Sequence, residues 1–316
     1  MPEKESKKPS KVGIGFEKTK RRWYNRKGSL GTDGKYQKKT RSGSDFRMRN
    51  GMRFVSIASG SSGNCIYLGT DHTHILIDAG ISCKRINNGL EDLGIKSSEL
   101  DGIFITHEHS DHIQGLRVFS KKFGVPIYGT KETLEEIAKA DKKGEIDPGL
   151  YHPVAPDVPV PVKEMQVLPF SSSHDAANPV VYRVDGGGKS AAVVTDLGCY
   201  SDYTLQHLQN LDGVLLESNH DVRMLEIGHY PYYLKRRILG ERGHLSNDTC
   251  GELLNNILHD GIKHIFLGHL SKENNYEALA YETVRTSVTM APSPYKGDDF
   301  SISVAGRDHP SEIVYL

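Results

Sequence analysis

"THEHSDH", residues 106–112, follows directly on the apolar run "GIFI" at 102–105. A buried strand therefore hands over at once to three histidines, a glutamate and an aspartate. His107 and His109 stand two apart on extended chain and so face the same side. Asp111 and His112 come at the expected start of a helix, whose first turn carries them to the other side of the same space. One short segment thus offers ligands to two adjacent ions. Imidazole nitrogens and carboxylate oxygens are the usual shell of Zn²⁺ and also suit Mn²⁺ or Fe²⁺.

A dinuclear site needs further ligands, and strand ends are the place to seek them. His174 closes "LPFSSSH", Asp196 closes "AAVVTD" and His269 closes "HIFLGH". With the first motif these give seven ligands, which divide into His107, His109 and His174 on one ion and Asp111, His112 and His269 on the other. Asp196 stands between them.

The surrounding chain punctuates as α/β from Met52 onward. "RFVSIA" and "CIYLGT" read as strands about the turn "SGSSGN", and "HILIDAG" as a third. Ser82 is placed to cap a helix ending at Gly94. "DGIFIT" and "VPIYGT" read as strands, "DHIQGLRVFSKKFG" as one helix and "KETLEEIAKA" as another. In the second half, "MQVLPFSSSH", "PVVYRV", "SAAVVTD", "GVLLES", "HIFLGH", "FSISVA" and "EIVYL" read as strands. Helices are expected over 201–210, from Pro231 to Leu239, along "NDTCGELLNNILHDG" and over 274–290. Sheet-rich halves with interspersed helices imply two sheets packed face to face with helices outside.

Composition divides the chain. Its net charge is zero, with 40 Lys+Arg against 40 Asp+Glu, yet residues 1–51 hold 16 basic against 5 acidic side chains. Those residues lack hydrophobic periodicity and are expected to form a basic, disordered extension, with the folded domain spanning 52–316. Trp23, Tyr24 and Tyr36 within the extension are suited to stacking on bases; Met52 also reads as a natural beginning. No apolar run approaches a bilayer span and no leader pattern opens the chain. Four scattered cysteines, Cys65, Cys83, Cys199 and Cys250, suit a reducing compartment. These features predict a cytoplasmic protein without membrane partners.

Asp78 in "ILIDAG", the H-x-H-x-D-H of 107–112, His174, Asp196 and His269 resemble the five ordered motifs of the metallo-β-lactamase fold superfamily. The resemblance covers nearly everything from Met52 to Leu316. It implies an αββα sandwich with its metals at the sheet edges, and assigns Asp78 to supporting the ligand loop from behind. "SIASGSSGNCIYL", "ESNHD" (217–221), "YPYYLKRRILGERGHLSN" (230–247) and "LGHLSKENN" (267–275) resemble a bacterial group described as 5′-to-3′ DNA exonucleases, the YycJ/WalJ group. "GHLS" (243–246) is similar to a Gly-His-x-Ser element that contacts the scissile phosphate in RNA-processing relatives, which implicates His244 and Ser246.

The chemistry reads the same way. Two divalent ions, Zn²⁺ or Mn²⁺, about 3.5–4 Å apart would share a bridging hydroxide and clamp the oxygens of a displacement at phosphorus. Asp111 and Asp196 then join His244 as catalytic residues, His244 donating a hydrogen bond or a proton. Ser61 and Ser62, with the amides of their turn, are placed to cradle a 5′-phosphate. Lys235, Arg236 and Arg237 could meet a DNA backbone. The expected activity is a 5′-to-3′ exodeoxyribonuclease. The alternatives are an RNA-processing nuclease of the same fold, a thioester hydrolase of the glyoxalase II type, or a nucleic-acid-binding module with a structural metal.

Overall fold

Alternating burial along short β-rich runs, interrupted by capped amphipathic helices, builds the chain into layers. A computed structural model describes residues 51–316; the expectations for the basic extension lie, Gly51 apart, outside the described residues. β1 (Arg53–Ala58), β2 (Cys65–Gly69) and β3 (His74–Ile77) form an antiparallel meander. α1 (Cys83–Asp92) starts where the Ser82 hydroxyl accepts from Arg85 N. β4 (Gly102–Phe104) joins β3 in parallel and leads into α2 (Ser110–Ile113) and α3 (Leu116–Phe123). β5 (Ile127–Thr130), α4 (Lys131–Ala140) and β6 (Tyr151–Val154) complete the first half.

The second half begins with β7 (Val160–Val162), β8 (Met165–Ser171), β9 (Val180–Gly186) and β10 (Lys189–Val194), paired antiparallel in succession. α5 (Asp202–His207), β11 (Gly213–Glu217), α6 (Val222–Ile227), α7 (Tyr232–Ile238) and α8 (Asn247–Ile257) follow. β12 (His264–Gly268), α9 (Glu277–Met290), β13 (Ile302–Val304) and β14 (Val314–Tyr315) end the chain. The strands form two seven-stranded sheets, in the orders β14-β1-β2-β3-β4-β5-β6 and β13-β12-β11-β10-β9-β8-β7.

Period-two alternation sends each strand's side chains to two different cores. Ile75 and Ile77 of β3 pack between the sheets with Phe54, Phe104, Tyr182, Leu215 and Phe266. Leu76 points the other way, to a core shared with Ile86, Leu90, Phe119 and Ile137 of the first helical layer. On the far side, Ala192, Val194, Val214, Leu216 and Leu267 meet Leu253, Leu254, Val284 and Val288. Three apolar layers thus separate helix, sheet, sheet and helix, the αββα order. Across the inter-sheet layer Phe54 and Phe266 meet edge to face at 5.2 Å, and the Tyr182 hydroxyl donates to the Ile105 carbonyl at 2.7 Å. Among the described residues no helix is long and apolar enough to cross a membrane.

The single helix expected over 111–124 is two. Gly115 separates α2 from α3, donates its N–H to the Ala79 carbonyl at 2.8 Å, and has no room for a β-carbon, which would stand 1.9 Å from the Ile81 carbonyl oxygen. The break lets α2 lie directly on the 79–81 backbone. β6 and β7 were not anticipated either. Each is an outer strand of its sheet and each contains proline, a residue that only an edge tolerates and that weakens a strand reading. α6 has no counterpart in the sequence reading, lying between the motifs at 217–221 and 230–247.

Candidate metal centre

β8, β10, β11 and β12 run in the same direction, as do β3 and β4. The residues beyond their carboxyl ends meet at one edge of the sandwich. From the first sheet come Asp78 and the 106–112 segment. From the second come His174, Asp196, Glu217 and His269. The structure brings all seven sequence-predicted ligands together. His107, His109 and His174 form one group, and Asp111, His112 and His269 another, with ligand atoms in each within 4.8 Å of one another. Asp196 joins both groups: its Oδ2 lies 3.0 Å from His112 Nε2, and its Oδ1 lies 3.5 Å from His174 Nε2 and 3.4 Å from His269 Nε2.

Four of the five ligand rings are fixed from behind. Asp78 accepts from His112 Nδ1 at 2.7 Å, while its other oxygen accepts from Thr106 N at 2.9 Å. His174 Nδ1 donates to the Gly243 carbonyl at 3.0 Å. His107 Nδ1 meets the Thr106 hydroxyl at 3.0 Å and His269 Nδ1 the Asn64 amide oxygen at 3.3 Å. These contacts set which ring nitrogen faces the centre, the arrangement that metal-binding histidines require. Backbone geometry contributes too: Asp78, Asp196 and His269 lie in the left-handed region, with φ of 64°, 56° and 55°. That conformation costs a non-glycine residue about 1 kcal/mol and turns the chain sharply inward as each strand ends.

The donor set fits divalent ions. His107 Nε2 is buried at the centre without a hydrogen-bond partner, an expensive condition unless something else meets it. Burial, helped by the neighbouring His112, holds His107 well below the usual imidazole range, so its lone pair is free. Asp196 goes the other way. Burial opposes its charge, but His269 and His112 keep it well below the usual carboxylate range. His112, also opposed by burial, is raised well above its ordinary value by Asp78, Asp196 and Asp111. The carboxylates gathered around it therefore call for positive charge, which an ion supplies as well as a proton does.

Two participants escaped the sequence reading. Glu217, ending β11, is fully buried and accepts from Leu197 N at 2.8 Å, Leu245 N at 3.2 Å and His244 Nδ1 at 2.8 Å. His244 stacks on His269 with ring centroids 5.4 Å apart. Burial would discharge His244, but the Glu217 carboxylate, with Asp196 beyond it, lifts its pKa to about 9. Asn64 is the second. Its Nδ2 lies 3.3 Å from His112 Nε2 and its Oδ1 accepts from Gly60 N at 3.0 Å, so one amide ties the 59–64 turn to both sides of the centre. A glutamate closing an apolar run was the available signal for Glu217; Asn64 looks like any turn asparagine.

The remaining candidates lie around this core. Ser61 and Ser62 are exposed, and Arg307 Nη1 donates to their hydroxyls at 3.4 and 3.2 Å. Ser246 caps α8, its hydroxyl accepting from Thr249 N at 3.1 Å. His220 is buried, with its pKa lowered by burial to about 4 and its Nε2 unpartnered. Of the α7 cations, Lys235 donates to the Glu226 and Gly228 carbonyls and Arg237 pairs with Asp175; Arg236 forms no ion pair among the described residues.

The chain is similar to known proteins. The Beta-lactamase superfamily domain matches residues 73–260. Exodeoxyribonuclease WalJ of Streptococcus pneumoniae is 39% identical over 241 residues, covering 76% of this chain and 90% of that protein. Exodeoxyribonuclease YycJ of Bacillus anthracis is 35% identical over 266 residues, covering 84% of this chain and all of that one. Among solved structures, the metallo-β-lactamase fold protein YhfI from Bacillus subtilis superposes with a TM-score of 0.62 at 16% identity, over 84% of this chain and 100% of its own.

Proposed function

Since the chain belongs to the metallo-β-lactamase superfamily and, within it, to the group of WalJ and YycJ, we propose that it is a metal-dependent 5′-to-3′ exodeoxyribonuclease. The observation that carries this reading is the meeting of seven ligand side chains beside the buried Glu217 and its partner His244. A hydrolase of phosphodiesters needs both parts: charge to offset the phosphate and a proton for the departing oxygen.

His107, His109 and His174 would hold one divalent ion, Asp111, His112 and His269 a second, and Asp196 would touch both. Zn²⁺ and Mn²⁺ both suit such donors. When bound, the ions supply charge against the phosphoryl oxygens and acidify water near neutral pH. The chain's own groups do the rest. Asp196 and Asp111, both held ionised, are the acceptors available for a proton from attacking water. His244, which Glu217 and Asp196 raise against the effect of burial, is the donor for the leaving oxygen, and Glu217 aims it. Ser61 and Ser62 receive a terminal phosphate, with the Arg307 guanidinium against them as counter-charge. Ser246, by starting α8 two residues after His244, fixes where that ring stands.

We assign this activity to residues 52–316, with 1–51 as a basic extension, and place the protein in the cytoplasm, a reading supported by four free cysteines. The test is cleavage of end-labelled DNA and RNA by the full chain, with Zn²⁺ or Mn²⁺, with chelator, and with His107→Ala alongside. Metal-dependent release of nucleotides from the 5′ end of DNA, lost in the variant, is the expected result. Preference for RNA would move the protein among the RNA-processing nucleases. Inert nucleic acids together with turnover of a glutathione thioester would overturn the reading.

A further inference from the structure

The stretch from α6 through α7 supplies none of the seven ligands, yet it concentrates exposed apolar surface. Nine large hydrophobic side chains are exposed among the described residues, and four of them fall here: Ile227, Tyr232, Tyr233 and Leu239. Scattered singly, such residues need no explanation; gathered in one short stretch of chain, they point to an interaction surface. Tyr232 and Tyr233 are 75% and 74% exposed, so these rings are not parts of a core that happen to reach solvent.

The patch is held rigidly and is fastened to the metal centre. Lys235 Nζ donates to the carbonyls of Glu226 and Gly228, both at 2.7 Å, clamping α7 to the end of α6. Arg237 Nη2 donates to Asp175 Oδ1 at 2.9 Å, and that same oxygen lies 3.3 Å from His174 Nε2. Arg242 donates to the His174 carbonyl at 2.9 Å. Two of the three α7 cations are therefore spent on holding the surface in place. Arg236 remains, its guanidinium 6.0 Å from the Tyr232 ring centroid, and exposed Arg223 on α6 likewise has no ion pair among the described residues. Exposed aromatic rings interleaved with unpaired arginines, on a support anchored to a metal ligand, match what a single nucleic-acid strand requires: faces for bases and cations for the phosphates between them.

We propose that α7 and the α6 end packed against it form a stacking platform for the single-stranded part of the DNA substrate, Tyr232 and Tyr233 taking bases and Arg236 a phosphate. The proposal rests on the nuclease reading and adds where the strand lies as it enters the centre. It excludes a blunt duplex as the ligand of this surface, since paired bases present no free faces.

The test uses the full chain in chelator, so that binding is read without cleavage, and follows the anisotropy of fluorescein-labelled oligothymidylate. Replacing both tyrosines (Y232A with Y233A) should weaken binding by about tenfold or more, the usual worth of base stacking. The paired Phe variant, which keeps the rings, should bind as the natural protein does. Hydrolysis of bis(p-nitrophenyl) phosphate, which has no strand to stack, should be unchanged by either. Unaltered oligothymidylate binding by the Ala variant overturns the proposal, as does equal weakening on a blunt duplex. A natural dimer in sedimentation that the Ala variant splits would also overturn it, making the patch a contact between copies. Should the natural protein cleave no DNA, the nuclease reading fails and this proposal with it; should it cleave DNA while the Ala variant binds normally, only the platform fails.

Discussion

Glu217 and His244 show how one buried carboxylate can set a neighbour's charge. Three donors converge on Glu217, which keeps it in place, and the resulting field raises His244 to about 9 from the ordinary 6.5. A raised value in the fold means that the protonated ring stabilises the metal-free protein. That contribution is complete below about pH 6.5 and is lost as pH rises through about 9. Melting temperatures of chelated protein should therefore fall over that window, and His244→Gln should flatten the fall. With metal present, His244→Gln should lower kcat by about 10²–10⁴-fold, the range for a lost general acid, while binding of DNA in chelator stays intact. Asp78 acts one step further out. Asp78→Asn keeps the size but weakens the hold on His112 Nδ1, and metal affinity, measured by competition with a chromophoric chelator, should drop by about 10–100-fold.

Between β3 and α2 the elements touch so closely that backbone stands where side chains normally would. Gly80 donates to the Asn64 carbonyl at 2.8 Å, and a β-carbon there would stand 1.7 Å from the Asp111 carbonyl oxygen. Gly80→Ala must push the ligand segment away. It should cost about 1–3 kcal/mol in denaturant melting and weaken metal binding as well, since Asp111 and His112 ride on the displaced turn. The same crowding explains which parts of the molecule could be read from the amino-acid order. Apolar runs ending in Asp or His advertised β4, β8, β10 and β12 together with the groups they carry, because strand and ligand are neighbours in the chain. Asn64 gave no such sign. Its partners His112 and His269 lie 48 and 205 residues away, and nothing local sets it apart from a turn residue. β6 and β7 were hidden by their prolines, which a reader of local pattern discounts and an outer strand tolerates. The break at Gly115 exists only because α2 must lie against the Ala79–Ile81 backbone.

At the scale of the molecule, the centre draws ligands from both sheets, so an ion bound there links the two halves of the sandwich as well as serving chemistry. Removing metal with chelator should lower the melting temperature, by mass action worth about 4 kcal/mol when free metal had stood a thousandfold above its Kd. Deleting residues 1–51 should leave hydrolysis of a simple phosphodiester unchanged, because every group assigned to the centre lies within residues 52–316; a matched loss would tie the extension to the activity. One further consequence follows from the way His107, His112, His174 and His269 are already pinned at their outer nitrogens by Thr106, Asp78, Gly243 and Asn64. Four of the five ligand rings therefore owe their orientation to the chain itself. Protein emptied by dialysis should keep its circular dichroism spectrum and regain full turnover within the mixing time when ions are returned, behaving as a rechargeable vessel whose shape does not depend on its contents.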